Sequence, residues 1–406
     1  MTLHGRARFL VLAALSLLYF LLMASTFNSL GQVLPFMVTD LSMNWAEAGF
    51  GFTLLGIACG AASLGPAMLS RRAGHGATLL VGTLLLVAGF AALAMAESVL
   101  AYHVGTILLG LGYCFCGTVP SVHIITNTFD RRSTALGVYF TSGSLGAVAG
   151  PLMFLASNEL LGGWRIYWVL CGVASALLGL FAVLTAPGRQ HETTAAETTT
   201  SENRGEIEWT VRSALFTSQF WVIVAAYTGC LLVNTTVHGF AFQHLLENGQ
   251  SKATATGLIS LAALVGAVGA AAAGMIGEKV DGRRLTILSL AALTLTSASL
   301  MVVHSWFFLG LFAVSMGVGL GFSYVSTAML MQDYFGRRAS LELYSIMAAI
   351  STLAALGPGL GGILRDSTGN FIGVFAALAV IDAVLLVAVV AMRRPSPAGQ
   401  PASALG

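Results

Sequence analysis

Charge is what this chain has least of. Only 9% of its 406 residues are Asp, Glu, Lys or Arg, against roughly a quarter in an ordinary soluble domain, while 56% are hydrophobic and the mean hydropathy is +0.84. Too few charged groups exist to cover a soluble surface, so the composition is that of a membrane protein. The formal net charge is +2, and the 19 basic residues come in scattered pairs rather than one patch, which excludes a nucleic-acid partner. The five cysteines, Cys59, Cys114, Cys116, Cys171 and Cys230, lie inside apolar stretches without a C-x-x-C pair. Neither a disulfide framework nor a zinc site is available to them, and they read as small packing residues. Nucleotide-binding loops, metal-ligand clusters and nucleophile–base constellations are also missing, so neither an enzyme nor a cofactor is expected.

What is present is a succession of long apolar runs. A helix needs about 20 mostly apolar residues to cross a hydrocarbon core of about 30 Å. Charge pairs and polar breaks then punctuate twelve predicted spans, near 9–36, 46–69, 77–96, 101–127, 134–157, 165–187, 218–243, 254–277, 285–303, 306–331, 341–364 and 371–392. Arg6 and Arg8 before the first run resemble the start of a signal peptide, but the run outlasts an h-region and reads as a retained first helix. With the N-terminus inside, all of the 19 basic residues except Arg165, Lys252 and Arg365 fall on the cytoplasmic side. The positive-inside rule thus puts both termini in the cytoplasm, and the cytoplasmic (inner) membrane of a bacterium is the expected location.

Residues 188–216 form a linker whose Thr- and Glu-rich first half cannot bury a core. Its second half interleaves Trp209, Val211, Leu215 and Phe216 with charge and predicts a short interfacial helix. The expected organisation is one six-helix bundle over 1–187, the linker, a second bundle over 217–394 and a cytoplasmic tail over 395–406. An internal repeat supports it. "FDRRSTALGVYFTSGSLGAVAGP" (129–151) returns as "FGRRASLELYSIMAAISTLAALGP" (335–358), matching at Phe129/Phe335, Arg131/Arg337, Arg132/Arg338, Gly150/Gly357 and Pro151/Pro358. "SRRAGHG" after the second span is similarly related to "GEKVDGRR" after the eighth.

These halves in parallel order resemble the major facilitator superfamily across essentially the whole chain. Its loop motif Gly-x-x-x-Asp-Arg-x-Gly-Arg-Arg has counterparts at Gly274, Glu278, Lys279, Asp281, Arg283 and Arg284. In the first half Ala67 and Arg71 replace the glycine and aspartate, leaving Arg72, Gly74 and His75. "RRSTALG", "GGWR" at Gly162–Arg165, "FW" at Phe220–Trp221 and "GPGLGGILRDSTGNF" from Gly357 to Phe371 resemble, in order, the monocarboxylate and oxalate/formate branch. Two departures stand out. The eighth span lacks the arginine with which that branch grips a carboxylate, and Thr106 stands where proton-driven members carry an arginine before Gly110 and Gly112.

The resemblance implies a fold of twelve transmembrane helices in two pseudo-symmetric bundles, an all-α integral membrane protein. It also implies secondary active transport of a small organic acid or similar solute, with a proton or counter-solute as partner, lipids around it and a monomer as the working unit. A drug or metabolite efflux antiporter is the alternative, favoured by "GSLGAVAGP", and a transporter-fold receptor or accessory membrane protein is a third reading.

Because every Lys and Arg lies at a loop or helix end, substrate recognition falls to uncharged side chains. The first span places Ser25, Asn28 and Gln32 on one face, and the seventh places Tyr227, Asn234 and His238 on another, with Thr235 alongside. The fourth adds Tyr113, His123 and Asn127, and the tenth Tyr324 and Thr327. In this fold these four spans line the cavity, so Asn28, Gln32, Tyr113, Asn234, Thr235, His238, Tyr324 and Thr327 are expected to contact substrate. His238 and Asp382 are the candidates for proton coupling, Asp382 being the one carboxylate in the middle of a span. Arg72, Glu278, Lys279, Asp281, Arg283, Arg131 and Arg337 are expected at the cytoplasmic gate. His75, His103, His244 and His304 are expected to be solvated.

Overall fold

A computed structural model describes residues 5–129, 131–187, 209–277 and 279–395. Among them there is no strand. The helices are α1 (Gly5–Ser25), α2 (Phe27–Asp40), α3 (Trp45–Ala61), α4 (Gly65–Ala73), α5 (His75–Ala94), α6 (Val99–Cys116), α7 (Thr118–Thr128) and α8 (Arg132–Leu161). There follow α9 (Trp164–Thr185), α10 (Val211–Leu215), α11 (Ser218–Glu247), α12 (Lys252–Ile276), α13 (Gly282–Leu300), α14 (Trp306–Ser351), α15 (Leu356–Thr368) and α16 (Ile372–Ala391).

Among the described residues, ten segments are long and apolar enough to cross a membrane by themselves, and α3 with α4, bent by 46°, makes an eleventh. The remaining predicted span is α13, whose Arg283, Arg284 and many hydroxyls leave it less apolar than the rest. Several of those hydroxyls bond within the protein: Ser289 donates to the Gly319 carbonyl at 2.7 Å, Thr296 to that of Ala292 at 2.9 Å, and Thr296 also pairs with Ser315 at 2.9 Å, while Ser297 Oγ is buried without a partner. Such pairing is how polar side chains enter a bilayer, where no water replaces a missing partner.

Of two compact units, one mixes residues from both halves of the sequence and the other draws only on the linker and the second half. One comprises Met1–Thr198, Thr235–Leu264 and Ala355–Val374; the other comprises Thr199–Asn234, Val265–Ala354 and Phe375–Gly406. The division therefore falls within α11, α12 and the first turn of α16, and just ahead of α15.

In the first unit, small residues let helices touch backbone to backbone. Gly146 and Gly150 of "GSLGAVAGP" lie against the Phe20 and Ala24 carbonyls of α1, where a Cβ would collide. The "GGWR" turn is likewise structural. Gly162 takes the left-handed conformation (φ 82°) that ends α8, and Arg165 then pairs with Asp40 at 2.7 Å while Trp164 Nε1 donates to the same carboxylate at 3.0 Å.

In the second unit, the FGRR copy of the repeat is a break inside α14, where Gly336 leaves helical geometry at φ 73°, ψ 169°. The FDRR copy separates α7 from α8. The predicted interfacial helix is α10, opened by a Thr210/Ser213 capping box, with the Trp209 ring 5.3 Å from that of Phe335.

Candidate functional site

The first span, Ala7–Asp40, is too long and too polar at its centre to run straight. It breaks at Thr26 (φ −87°, ψ −95°), where side chains take up the Met23 and Ala24 carbonyls and two hydroxyls add to those of Leu21 and Leu22, the latter still accepting from Thr26 N at 3.1 Å. Ser25 donates to Leu21 O at 2.7 Å, Thr26 to Leu22 O at 2.5 Å, Asn28 Nδ2 to Met23 O at 2.6 Å and Ser29 to Ala24 O at 2.6 Å. Tyr167 in turn donates to Ser29 Oγ at 2.8 Å. The fourth span also breaks, at Gly117 (φ −82°, ψ −141°), just before Pro120. The two breaks are neighbours. Tyr113 Oη lies 3.3 Å from Met23 Sδ, its ring stands edge-on to Phe27 at 5.4 Å, and the Tyr19 hydroxyl lies beside Tyr113 and Thr118. Discontinuous helices at depth, with exposed backbone poles and aromatic walls, are the usual construction of a transporter's substrate site.

One turn beyond Asn28, Gln32 is 1% exposed and accepts from Thr256 Oγ1 on α12 at 3.3 Å. Gln32 Nε2 and, one turn along α12, Ser260 Oγ are buried without a hydrogen-bond partner. Sequence reasoning singled out Gln32 and missed Thr256 and Ser260. Their signal was the set of hydroxyls at Thr254, Thr256 and Ser260 in the first turns of a helix that is apolar from there on.

Two seams in this unit bring together residues from the two halves of the chain. At the first, Gly31 of α2 packs on the His238 carbonyl of α11. At the second, α3 meets α15: Gly49 lies on the Pro358 carbonyl, Gly362 on that of Trp45, and Gly359 N donates to Thr53 Oγ1 at 3.1 Å. The end of this seam carries charge. Asp366 accepts from the backbone N–H groups of Trp45 and Ala46 at 3.2 and 2.8 Å, so a carboxylate from α15 caps the positive pole of α3. Its neighbour Arg365 pairs with Glu247 at 3.0 Å and lies over the Trp45 and Phe371 rings at 5.6 and 5.5 Å.

The second unit holds a tyrosine cluster. The Tyr227 ring is buried 6.2 Å from both Tyr324 and Tyr344, and Thr228 pairs with Ser351 at 2.9 Å. Tyr324 is 45% exposed, whereas Thr327 is 1% exposed with its hydroxyl donating to Ser323 O at 2.7 Å. Asn234, Thr235 and His238 are half-buried on α11. Asp382 of α16 is fully buried, and neither of its oxygens has a hydrogen-bond partner.

Of the expected gate residues, Asp281 is the N-cap of α13, accepting from Arg284 N at 2.8 Å. Arg283 donates to the last carbonyls of α16, Val389 at 3.1 Å and Val390. Asp333 accepts from Gly282 N at 2.9 Å. Arg72 ends α4, while Lys279 and Arg131 are exposed. Glu278 and the Arg337 side chain lie outside the described residues. Two histidines correct expectation. His244 is 1% exposed against Phe371, and His75 is 7% exposed with Nδ1 3.3 Å from Ser70 Oγ, because each starts or ends a helix that packs over it.

The family profile of the Major Facilitator Superfamily matches residues 15–354 and again 228–405. The chain belongs to this superfamily. A stretch of 144 residues is 28% identical to human monocarboxylate transporter 7, spanning 35% of this chain but only 27% of that relative's length. YycB of Bacillus subtilis (strain 168), described as an uncharacterized transporter, is 24% identical over 354 residues, 85% of this chain and 84% of that one. Among solved structures, the nucleoside transporter NupG superposes with a TM-score of 0.76 at 17% identity, over 95% of this chain and 98% of that one. A bacterial homologue of the human lysosomal transporter Spinster gives 0.68 at 18% identity, over 96% and 95%. At such identities the solved structures show the shared fold. This superfamily member thus joins the all-α transporter architecture to paired breaks in its first and fourth spans.

Proposed function

We propose that this chain is a secondary active transporter that moves a small organic acid of the monocarboxylate kind across the cytoplasmic membrane by alternating access. The observation that carries the reading is the pair of adjoining helix breaks at Thr26 and Gly117, which gather Asn28, Tyr113, Tyr19 and Phe27 deep within the spans. A carboxylate there would be held by neutral donors, in keeping with the absence of any Lys or Arg from mid-span. Thr235 and His238, on the stretch of α11 that belongs to the same unit, are assigned to substrate contact as well. The partial likeness to a monocarboxylate transporter supports the substrate class. The positive-inside bias supports cytoplasmic termini, which makes the α3–α15 seam the outward-side gate, closed in this conformation.

The assay is uptake of radiolabelled lactate, formate or pyruvate into proteoliposomes, with and without a pH gradient. Uptake of at least one is expected, lowered about tenfold or more by Asn28→Ala, the effect of losing one charge-assisted hydrogen bond of about 1.5–3 kcal/mol. Absence of flux for all three contradicts the substrate class.

A further inference from the structure

Asp382 stands in the middle of α16 with 0% exposure and both carboxyl oxygens unpartnered. The groups that face it are few. From α11 come Gly229, where a Cβ would lie 3.1 Å from Oδ1, and the Cys230 thiol; from its own helix comes Leu385, against the same Gly229 position. From α13, Ser289 reaches Cys230 Sγ at 3.9 Å but donates its proton to the Gly319 carbonyl, and Arg283 is engaged at Val389 and Val390 near the helix end. Cys230 is thus the one other titratable group at the carboxyl, with no cation and no donor on it among the described residues.

A structural aspartate inside a membrane is held by a partner, because a polar group buried without one costs several kcal/mol and an unpaired charge far more. Here no partner holds it. This conformation therefore suits only the neutral acid, and the ionised form requires water or a donor to reach the carboxyl, which means parting α16 from α11. Proton occupancy and helix packing are then linked in both directions. The link points at α11. Gly229 is two residues from Tyr227, about 200° around the helix at roughly 100° per residue, so movement at the Asp382 side shifts the opposite face, which carries Tyr227.

We infer that Asp382 is a proton-binding site whose loading sets the packing of α16 against α11. The ligand is a proton rather than a metal ion, since no second oxygen ligand joins the carboxyl among the described residues. The inference goes beyond the transport reading, and its test needs no substrate.

The test uses the full chain in lipid nanodiscs and compares it with Asp382→Asn, which keeps the shape in a permanently neutral form. Infrared difference spectra report the carboxylic C=O band, and hydrogen–deuterium exchange reports opening of α11. The expected result is a band present near neutral pH, missing in Asp382→Asn and lost at higher pH. Below the pH at which it is lost, exchange around Gly229 and Cys230 rises about tenfold per pH unit more steeply in the wild type than in Asp382→Asn, the slope for one proton released per opening, and the difference levels off as the band disappears. Absence of an Asp382-dependent band at every pH overturns the inference, as does a band whose loss leaves exchange parallel in the two proteins. A failure of lactate, formate and pyruvate flux leaves both readouts standing, so the two proposals fail separately.

Discussion

Gln32 shows how a single side chain carries more than its residue type implies. Its spacing from Asn28 placed it on a polar face, and that much followed from a 3.6-residue period. What the sequence did not contain was its partner, because Thr256 comes from a helix more than two hundred residues away. Nor did it show that one half of the amide would be left unpaired. An unpaired buried donor costs about 1–3 kcal/mol, so Gln32→Leu combined with Thr256→Val removes a liability together with its partner. Thermal unfolding in detergent is expected at an unchanged or higher temperature, while uptake falls about tenfold or more, the loss of roughly 1.4 kcal/mol of binding. A melting temperature that drops with uptake intact would assign the pair to structure alone. His75 and His244 mark the limit of reading at this scale: both were expected to be solvated, yet each lies within a helix and is buried, because burial depends on tertiary packing.

Elements were the most readable scale. Long apolar runs separated by arginine pairs locate helices without ambiguity, since a bilayer leaves the backbone no other way to satisfy itself. The breaks were less visible. Pro120 hinted at the one in the fourth span, but Thr26 lies in a run with no Pro or Gly nearby before Gly31, and its break rests on a cluster of hydroxyls and amides able to take up freed carbonyls. The Gly336 break is different, because its φ of 73° favours glycine outright. Gly336→Ala is expected to cost about 1–3 kcal/mol, the range for a side chain forced into a sparsely populated backbone region. A lowered unfolding temperature checks it, whereas an unchanged one would mean that α14 continues straight in the variant. The loop motif was expected at the cytoplasmic gate, and within it Asp281 caps α13 while Arg283 ties down the end of α16.

For the whole molecule, the repeat of FDRR and FGRR marked two halves, and the compact units show where residues of those halves join. Within one unit, α3 and α15 approach through Gly49, Gly359 and Gly362, and a carboxylate on one helix caps the pole of the other. Small residues permit both contact and separation, and a cap of backbone N–H groups can be exchanged for water at modest cost, which suits the proposed alternating access.

The most direct test of alternating access at this seam is a cross-link. A Cβ built on Gly359 lies 3.8 Å from that of Thr53, within the range of about 3.5–4.5 Å that a disulfide requires. Thr53→Cys with Gly359→Cys, in a background without the five native cysteines, would be reconstituted and its lactate uptake measured before oxidation, after oxidation and after reduction. Uptake that vanishes with the cross-link and returns with reductant is the predicted result. Undiminished uptake by fully cross-linked protein would contradict the account.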